Sequence, residues 1–246
     1  MANAYYQPGE QRAARVNELF GRIAPRYDLI NDLQSFGLHR LWKRRLVQLS
    51  QARPGQRALD LCCGTGDVAF ALARHGADVI GLDFSEPMLA IASRRAENYV
   101  SKNVPGRRPA LPRFIRGDAL HIPFPDRSFD IVTVGYGLRN LSEWKAGLRE
   151  MSRVAKPGAR ILILDFGKPE NALWRSFYFG YLRLVVPLFG LAFCRDAAAY
   201  AYILESLQHF PAQRGIDEEL RSLGCRESQI IEPLGGIMGL NFALKP

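Results

Sequence analysis

Residues that build metal centres and disulfide frameworks are scarce in this chain. Its four cysteines are the adjacent Cys62 and Cys63 and the solitary Cys194 and Cys225, and its histidines also number four. No spacing for a metal site or a disulfide framework results, so no metal is expected and the cysteines read as small reduced side chains. Long apolar runs are missing too. Only eleven uncharged residues separate Arg183 from Arg195, and Pro187 and Gly190 interrupt them, so no bilayer-spanning helix is expected. Where a targeting segment would be apolar, the first thirty residues carry Glu10, Arg12, Arg15, Glu18, Arg22, Arg26 and Asp28, which predicts a cytosolic protein. Repeats and low-complexity tracts are absent. Positive charge is plentiful: 33 basic against 24 acidic residues give a formal charge of +9. That balance suits nucleic acid or the cytoplasmic face of a bilayer and does not choose between them. The basic residues are dispersed, with short clusters at Arg40, Lys43, Arg44 and Arg45 and at Arg107, Arg108, Arg113 and Arg116.

A chain of 246 residues, 48% hydrophobic, is enough for one α/β domain with an added cap. The first dozen residues, with Pro8 and Gly9, read as loosely ordered, and a helical segment is predicted over roughly 12–50. From 57 to 166 apolar runs alternate with amphipathic stretches, which predicts strands ending at Cys62, Asp83, Gly117 and Val134 and a fifth from Arg160 to Phe166. Lys156-Pro157-Gly158 reads as the close of the helix before that fifth strand. Residues 170–212 form the least polar part, a predicted cap, and 213–246 a closing helix and two strands. Right-handed crossovers place Asp60, Asp83, Asp118 and Gly135 on one edge of the sheet.

The run Leu59-Asp60-Leu61-Cys62-Cys63-Gly64-Thr65-Gly66-Asp67-Val68 sets a carboxylate at a strand end before a glycine turn. Gly64 to Ala69 fit the loose dinucleotide-binding pattern, a weak signal alone. A fixed carboxylate at Asp60 repels a pyrophosphate and favours a cationic nucleoside such as S-adenosylmethionine, which presents a sulfonium and an ammonium. Asp83, 19 residues beyond Gly64, is placed for ribose hydroxyls. The plainer alternative is that each aspartate merely ends a buried strand.

Three stretches together carry a resemblance: Phe20-Gly21-Arg22-Ile23-Ala24-Pro25-Arg26-Tyr27-Asp28 with Gly37-Leu38-His39-Arg40-Leu41-Trp42-Lys43; Gly117-Asp118-Ala119 with Pro123 to Asp130; and Gly137-Leu138-Arg139-Asn140 with Arg153 to Gly158. The chain resembles class I S-adenosylmethionine-dependent methyltransferases, and more narrowly the ubiquinone and menaquinone biosynthesis C-methyltransferase family. The resemblance implies a Rossmann-like fold, a seven-stranded mostly parallel sheet flanked by helices with a helical cap. It also implies that Gly64, Thr65 and Gly66 contact the methionine end of the donor, Asp83 the ribose, and Asp118 with Ala119 the adenine. Acceptor-only carboxylates suit ribose and amine donors. Phe84 covers the adenine face or simply packs behind its strand. Gly21, Asp165 and Gly167 depart from the family pattern, and Gly135 stands where relatives can carry serine, leaving only backbone contact there.

The implied reaction is C-methylation of a prenylated quinol, with 2-demethylmenaquinol preferred over a ubiquinone precursor or a phytyl-naphthoquinol, and S-adenosylhomocysteine as by-product. Such a ring is a carbon nucleophile only when reduced and deprotonated, so the protein must align carbon, methyl and sulfur, remove a proton and stabilise a phenolate. Arg139 is the expected phenolate holder, since a guanidinium stays protonated; a structural salt bridge is its alternative role. His39 and Tyr136 are candidate bases with Asp28 behind them, and Asn140 is expected to orient quinol oxygens or cap a helix. The aromatic cap speaks for an isoprenoid partner and peripheral contact with the inner face of the cell membrane, against nucleic acid, and offers a face for a homodimer. Competing readings are a methyltransferase for another small molecule or RNA, and a non-catalytic quinone-binding scaffold.

Overall fold

The computed structural model describes residues 11–101 and 111–246. Seven strands form one sheet: β1 (Arg57–Leu61), β2 (Asp78–Asp83), β3 (Arg113–Arg116), β4 (Phe129–Gly135), β5 (Ala155–Phe166), β6 (Arg226–Ile231) and β7 (Met238–Leu244). Their order is β3-β2-β1-β4-β5-β7-β6. All pairs are parallel except those made by β7, which runs antiparallel to β5 and β6. The chain leaves β1 toward β2 and β3 and returns on the far side as β4, so the switch point lies between β1 and β4. Ligands of open α/β sheets bind outside the carboxyl ends of the strands at such a point.

The helices are α1 (Gln11–Ile23), α2 (Tyr27–Gln34), α3 (Leu38–Ser50), α4 (Asp67–Arg74), α5 (Glu86–Ser101), α6 (Trp144–Val154), α7 (Ala172–Leu184), α8 (Val186–Cys194), α9 (Ala197–His209) and α10 (Ala212–Ser222). Alternation along the strands builds two cores. Leu59 and Leu61 of β1 join Val132 and Val134 of β4 on the face covered by α1, α6, α7, α9 and α10. Ala58 and Ile131 turn the other way, to Trp42 and Leu46 of α3 and Leu72 of α4. Each inner strand is buried on both faces, which is why the sequence shows continuous apolar runs there.

The predicted order of elements stands, with two corrections. The single helical segment over 12–50 is three helices, broken by a 3-10 turn at Ala24–Arg26, where Pro25 lies in the first turn, and at Gly37, whose φ of 74° ends helical geometry. Lys156-Pro157-Gly158 does not close a helix: α6 stops at Val154, β5 starts at Ala155, and the register against β4 shifts between Phe129 and Ile131. A bulge therefore replaces the expected turn. Of the dozen residues expected to start loosely, 1–10 lie outside those described and Gln11 and Arg12 already belong to α1; Arg107 and Arg108 of the second basic cluster also lie outside. Together α7 and α8 include a stretch, Ala172–Phe193, long and apolar enough by length and composition to cross a membrane. Tyr178, Leu182 and Val186 from it are buried in the core, and the Tyr181 hydroxyl donates to the Gln34 carbonyl at 2.6 Å, so one face of the stretch packs on the domain.

Candidate active site: two cavities that share an aromatic wall

Two cavities open at the carboxyl edge of the sheet. The smaller, about 190 Å³, lies over the switch point and is lined by Gly64, Asp83, Phe84, Asp118, Ala119 and Gly135 among others. Six of the nine residues expected to hold a cofactor are thus brought together. Asp83 is fixed by the turn after β1 and by the turn after its own strand: the Gly64 and Ser85 amides each donate to it at 2.8 Å. Burial pushes its pKa up, and these amides oppose the shift. Asp118 accepts from the Leu120 amide at 2.9 Å. Phe84 is 41% exposed at the rim with the Arg116 guanidinium 5.8 Å from its ring centroid, so it does not pack behind its strand.

The other three residues lie behind this floor. Thr65 is buried and donates through its hydroxyl to Asp28 at 2.8 Å. Gly66, at φ 89°, starts α4, and a Cβ there would meet the Phe114 ring at 2.7 Å, so only glycine lets the loop lie this close to β3. Asp60 is the main revision. It is 1% exposed, accepts from the Thr133 hydroxyl at 2.7 Å, and does not line the cavity. Desolvation raises its pKa to about 7, so near neutrality it carries a fractional charge. The carboxylates that line the smaller cavity are Asp83 and Asp118.

The larger cavity, about 440 Å³, is walled by α1, α2, α3, α7 and α9. His39, Tyr136 and Arg139 line it; Asn140 does not, and faces the smaller cavity with its side-chain oxygen buried and without a partner among the described residues. The expected role of Asn140 at quinol oxygens is thereby displaced toward the cofactor side. Phe20, Tyr27 and Tyr136 line both cavities and form the wall between them. Tyr136 has φ 63°, in the left-handed region that a bulky residue rarely enters, and Cys62 opposite it has φ 50°. Strain of this kind is retained where the surroundings over-determine a conformation, here at the switch point. Gly137 makes the approach possible, since a Cβ there would sit 2.3 Å from that of Cys62.

Polar groups in the larger cavity are few and specifically held. The Arg139 guanidinium donates to Asp165 at 2.8 Å and to the Tyr136 carbonyl at 2.7 Å, and its charge lies 4.6 Å from the Phe166 ring centroid. Its Nε is buried with no partner among the described residues. The salt bridge weighed as an alternative is therefore real and leaves a donor over, at a position lining the cavity. His39 meets Asp32 through Nε2 at 2.8 Å, and its Nδ1 is buried without a described partner. Desolvation, followed by the nearby Lys43 ammonium, lowers the His39 pKa, while Arg40 bonded to Asp32 lowers that carboxyl to about 2. An Nε2–H held by a carboxylate fixes the tautomer and leaves the Nδ1 lone pair available. Burial pushes the Tyr136 pKa far up, which disfavours the anionic form of its phenol. Asp28 lines neither cavity; its oxygens face Thr65 and Arg95.

Of the α1 residues at the smaller cavity, Phe20 belongs to the front motif that carries the resemblance, while Val16 and Asn17 are not singled out by the sequence. Their only signal was the amphipathic spacing of α1, which marks an apolar face without saying what it covers.

Among solved structures, a SAM-dependent methyltransferase from Aquifex aeolicus superposes with a TM-score of 0.57 at 19% identity, over 83% of this chain and 89% of that one. A SAM-dependent methyltransferase from Thermotoga maritima, a possible histamine N-methyltransferase, gives 0.64 at 16%, over 93% and 99%. At such identities the likeness is one of fold. Sequence relatives reach further. The ubiquinone/menaquinone biosynthesis C-methyltransferase UbiE of Azotobacter vinelandii is 39% identical over 97% of this chain and 93% of its own. A 2-phytyl-1,4-naphtoquinone methyltransferase of Synechococcus elongatus is 45% identical over 92% and 94%, and a demethylmenaquinone methyltransferase of Bacillus cereus 32% over 96% and 98%. The model of the ubiE/COQ5 methyltransferase family matches residues 8–245, and the chain belongs to that family.

Proposed function

We propose that the protein transfers a methyl group from S-adenosylmethionine to a ring carbon of a prenylated 1,4-naphthoquinol, with 2-demethylmenaquinol as the preferred acceptor. The observation that carries the reading is the pair of cavities meeting at Phe20, Tyr27 and Tyr136, one acidic and glycine-floored, the other apolar with an arginine and a histidine. Naphthoquinone methylation is also the activity that the names of all three relatives include.

The acidic cavity fits the donor. Asp83 presents acceptors for ribose hydroxyls and Asp118 one for the adenine amine, and the unpartnered oxygen of Asn140 offers an acceptor for an ammonium. Bound there, the donor supplies an already activated methyl group, so the residues need only position the acceptor and manage its proton. Arg139 Nε donates to a quinol oxygen and stabilises it as phenolate; its charge is held by Asp165, so no reorganisation is needed when the phenolate forms. His39 Nδ1 takes a proton, oriented by Asp32. Tyr136 closes the wall, and its hydroxyl donates toward the second ring oxygen. The aromatic sides of the larger cavity exclude water and accept the first isoprene units.

The protein works at the inner face of the cell membrane, where such quinols reside; exposed Phe36 on the lining of the larger cavity, exposed Leu188 and Leu191 of α8 and the charge of +9 support this placement. Deleting the gene and weighing the extracted quinones tests the assignment. Accumulation of a demethylated naphthoquinone agrees with it. An unchanged quinone pool rejects it, and accumulation of a benzoquinone precursor alone moves the substrate to the ubiquinone branch.

A further inference from the structure

The larger cavity does not end at its mouth. A shallower groove of about 360 Å³ runs along the outer face of α7, and Phe177 and Tyr181 line both it and the cavity. The groove residues recur at helical spacing, from Leu173 through Phe177 and Gly180 to Leu184 and Val185, and none is charged. Leu173, Phe177 and Leu184 are 69, 66 and 69% exposed, a contiguous apolar strip in water roughly 18 Å long for twelve residues of helical rise. A cavity of about 440 Å³ is the size that encloses a drug-sized ligand, a bicyclic ring with its first isoprene units. A longer tail has to continue outside.

We propose that this face of α7 is a subsite for the isoprenoid tail of the substrate, entered between Phe177 and Tyr181, and that it sets the preference for tail length. The inference rests on the prenylated-quinol reading above. Chemistry matches along the path: an uncharged polyisoprene chain passes from an aromatic cavity onto a strip that carries no charged side chain. Gly180, with Ser176, forms the trough between the larger side chains, and a Cβ at Gly180 meets nothing within 4 Å. A leucine there fills the groove without touching the cavity, and it raises helix propensity, so the fold is kept.

The test compares wild type and Gly180→Leu on reduced naphthoquinols with one or two isoprene units and with long tails, in the same detergent micelles. The expected result is a KM for long-tailed quinols raised about tenfold in Gly180→Leu, with kcat and the short-tailed KM unchanged. An equal loss at every tail length, or no loss at any, overturns the subsite. Loss of binding to anionic phospholipid vesicles with the long-tailed KM unchanged also overturns it and gives the face to lipid. A ring-free polyprenyl alcohol, titrated against tryptophan fluorescence with Trp174 at the cavity mouth, reads the groove without turnover. Weaker binding by Gly180→Leu upholds the subsite even if methyl transfer to quinols fails, and equal binding rejects it even if transfer succeeds.

Discussion

The Arg139 guanidinium lies 2.8 Å from the Asp165 carboxylate, and both side chains are almost wholly buried, at 5 and 2% exposure. Asp165 stands at the end of β5 and Arg139 in the turn after β4, so the ion pair ties two neighbouring strand ends together under the larger cavity. Removing one member leaves the other as an uncompensated buried charge.

That pair makes a simple alanine substitution ambiguous. Arg139→Ala and Asp165→Ala are each expected to lose about 3–5 kcal/mol in urea unfolding. The double variant Arg139→Met with Asp165→Leu replaces the pair by apolar groups and is expected to recover part of that stability, since the Arg139 and Phe166 amides lose the carboxylate they donate to. It should bind S-adenosylmethionine near the wild-type affinity and yet turn over poorly. Wild-type turnover by the folded double variant would remove Arg139 from the chemistry.

His39 supplies a pH signature. Its folded pKa lies below the ordinary histidine value because burial disfavours the charged ring, so it stays neutral and able to accept a proton at neutral pH. Activity is expected to fall on acidification with an apparent pKa below about 6.5. His39→Gln should lower kcat about 100-fold and abolish this acid limb. An unchanged limb in His39→Gln would assign the proton transfer elsewhere.

Cofactor affinity separates the two aspartates that the sequence treats alike. Asp83 lines the smaller cavity and Asp60 lies behind it. By calorimetry, Asp83→Ala is expected to weaken S-adenosylmethionine binding about 100-fold or more, through loss of charge-assisted hydrogen bonds, without unfolding the chain. Asp60→Asn should change it by less than about threefold, since an amide oxygen still accepts from Thr133. Equal losses at the two sites would place Asp60 back among the contacts.

Stability against pH gives a second reading of Asp60. Its folded pKa of about 7 is above its unfolded value, so the folded state holds the extra proton between the two. The sign is that stability declines as pH rises from about 4 to about 7, because the unfolded state releases its proton freely there while the folded state still holds its own. Asp60→Asn removes this cost, which is on the order of 2–4 kcal/mol. Melting curves should therefore show wild type and variant similar near pH 4 and the variant more stable at pH 8.

How much of this was legible before the structure differs from residue to residue. Strand order and the meeting of Asp83, Asp118 and Gly135 follow from βαβ grammar, because right-handed crossovers leave few alternatives. The direction in which a strand-end side chain turns does not follow, since period-two alternation sends Asp60 to one face and Leu61 to the other. The family departure at Asp165 looked incidental in one dimension and proves to be the partner of Arg139, a contact between residues 26 apart in the chain. Gly167 likewise has a local reason: a Cβ there would lie 2.3 Å from the Gly236 carbonyl oxygen. Val16 and Asn17 of α1 escape notice because an amphipathic helix names its buried face and not the cavity that face closes.

The most direct test of the account is product analysis after one turnover. The protein is incubated with S-adenosylmethionine carrying a deuterated methyl group and with a demethylmenaquinone, chemically reduced in one sample and oxidised in the other. The two cavities meeting at Tyr136 predict a deuteromethyl group on the ring carbon beside the quinol oxygen, formed from the reduced substrate only. Methylation on oxygen, equal reaction of the oxidised quinone, or no transfer to either would contradict it.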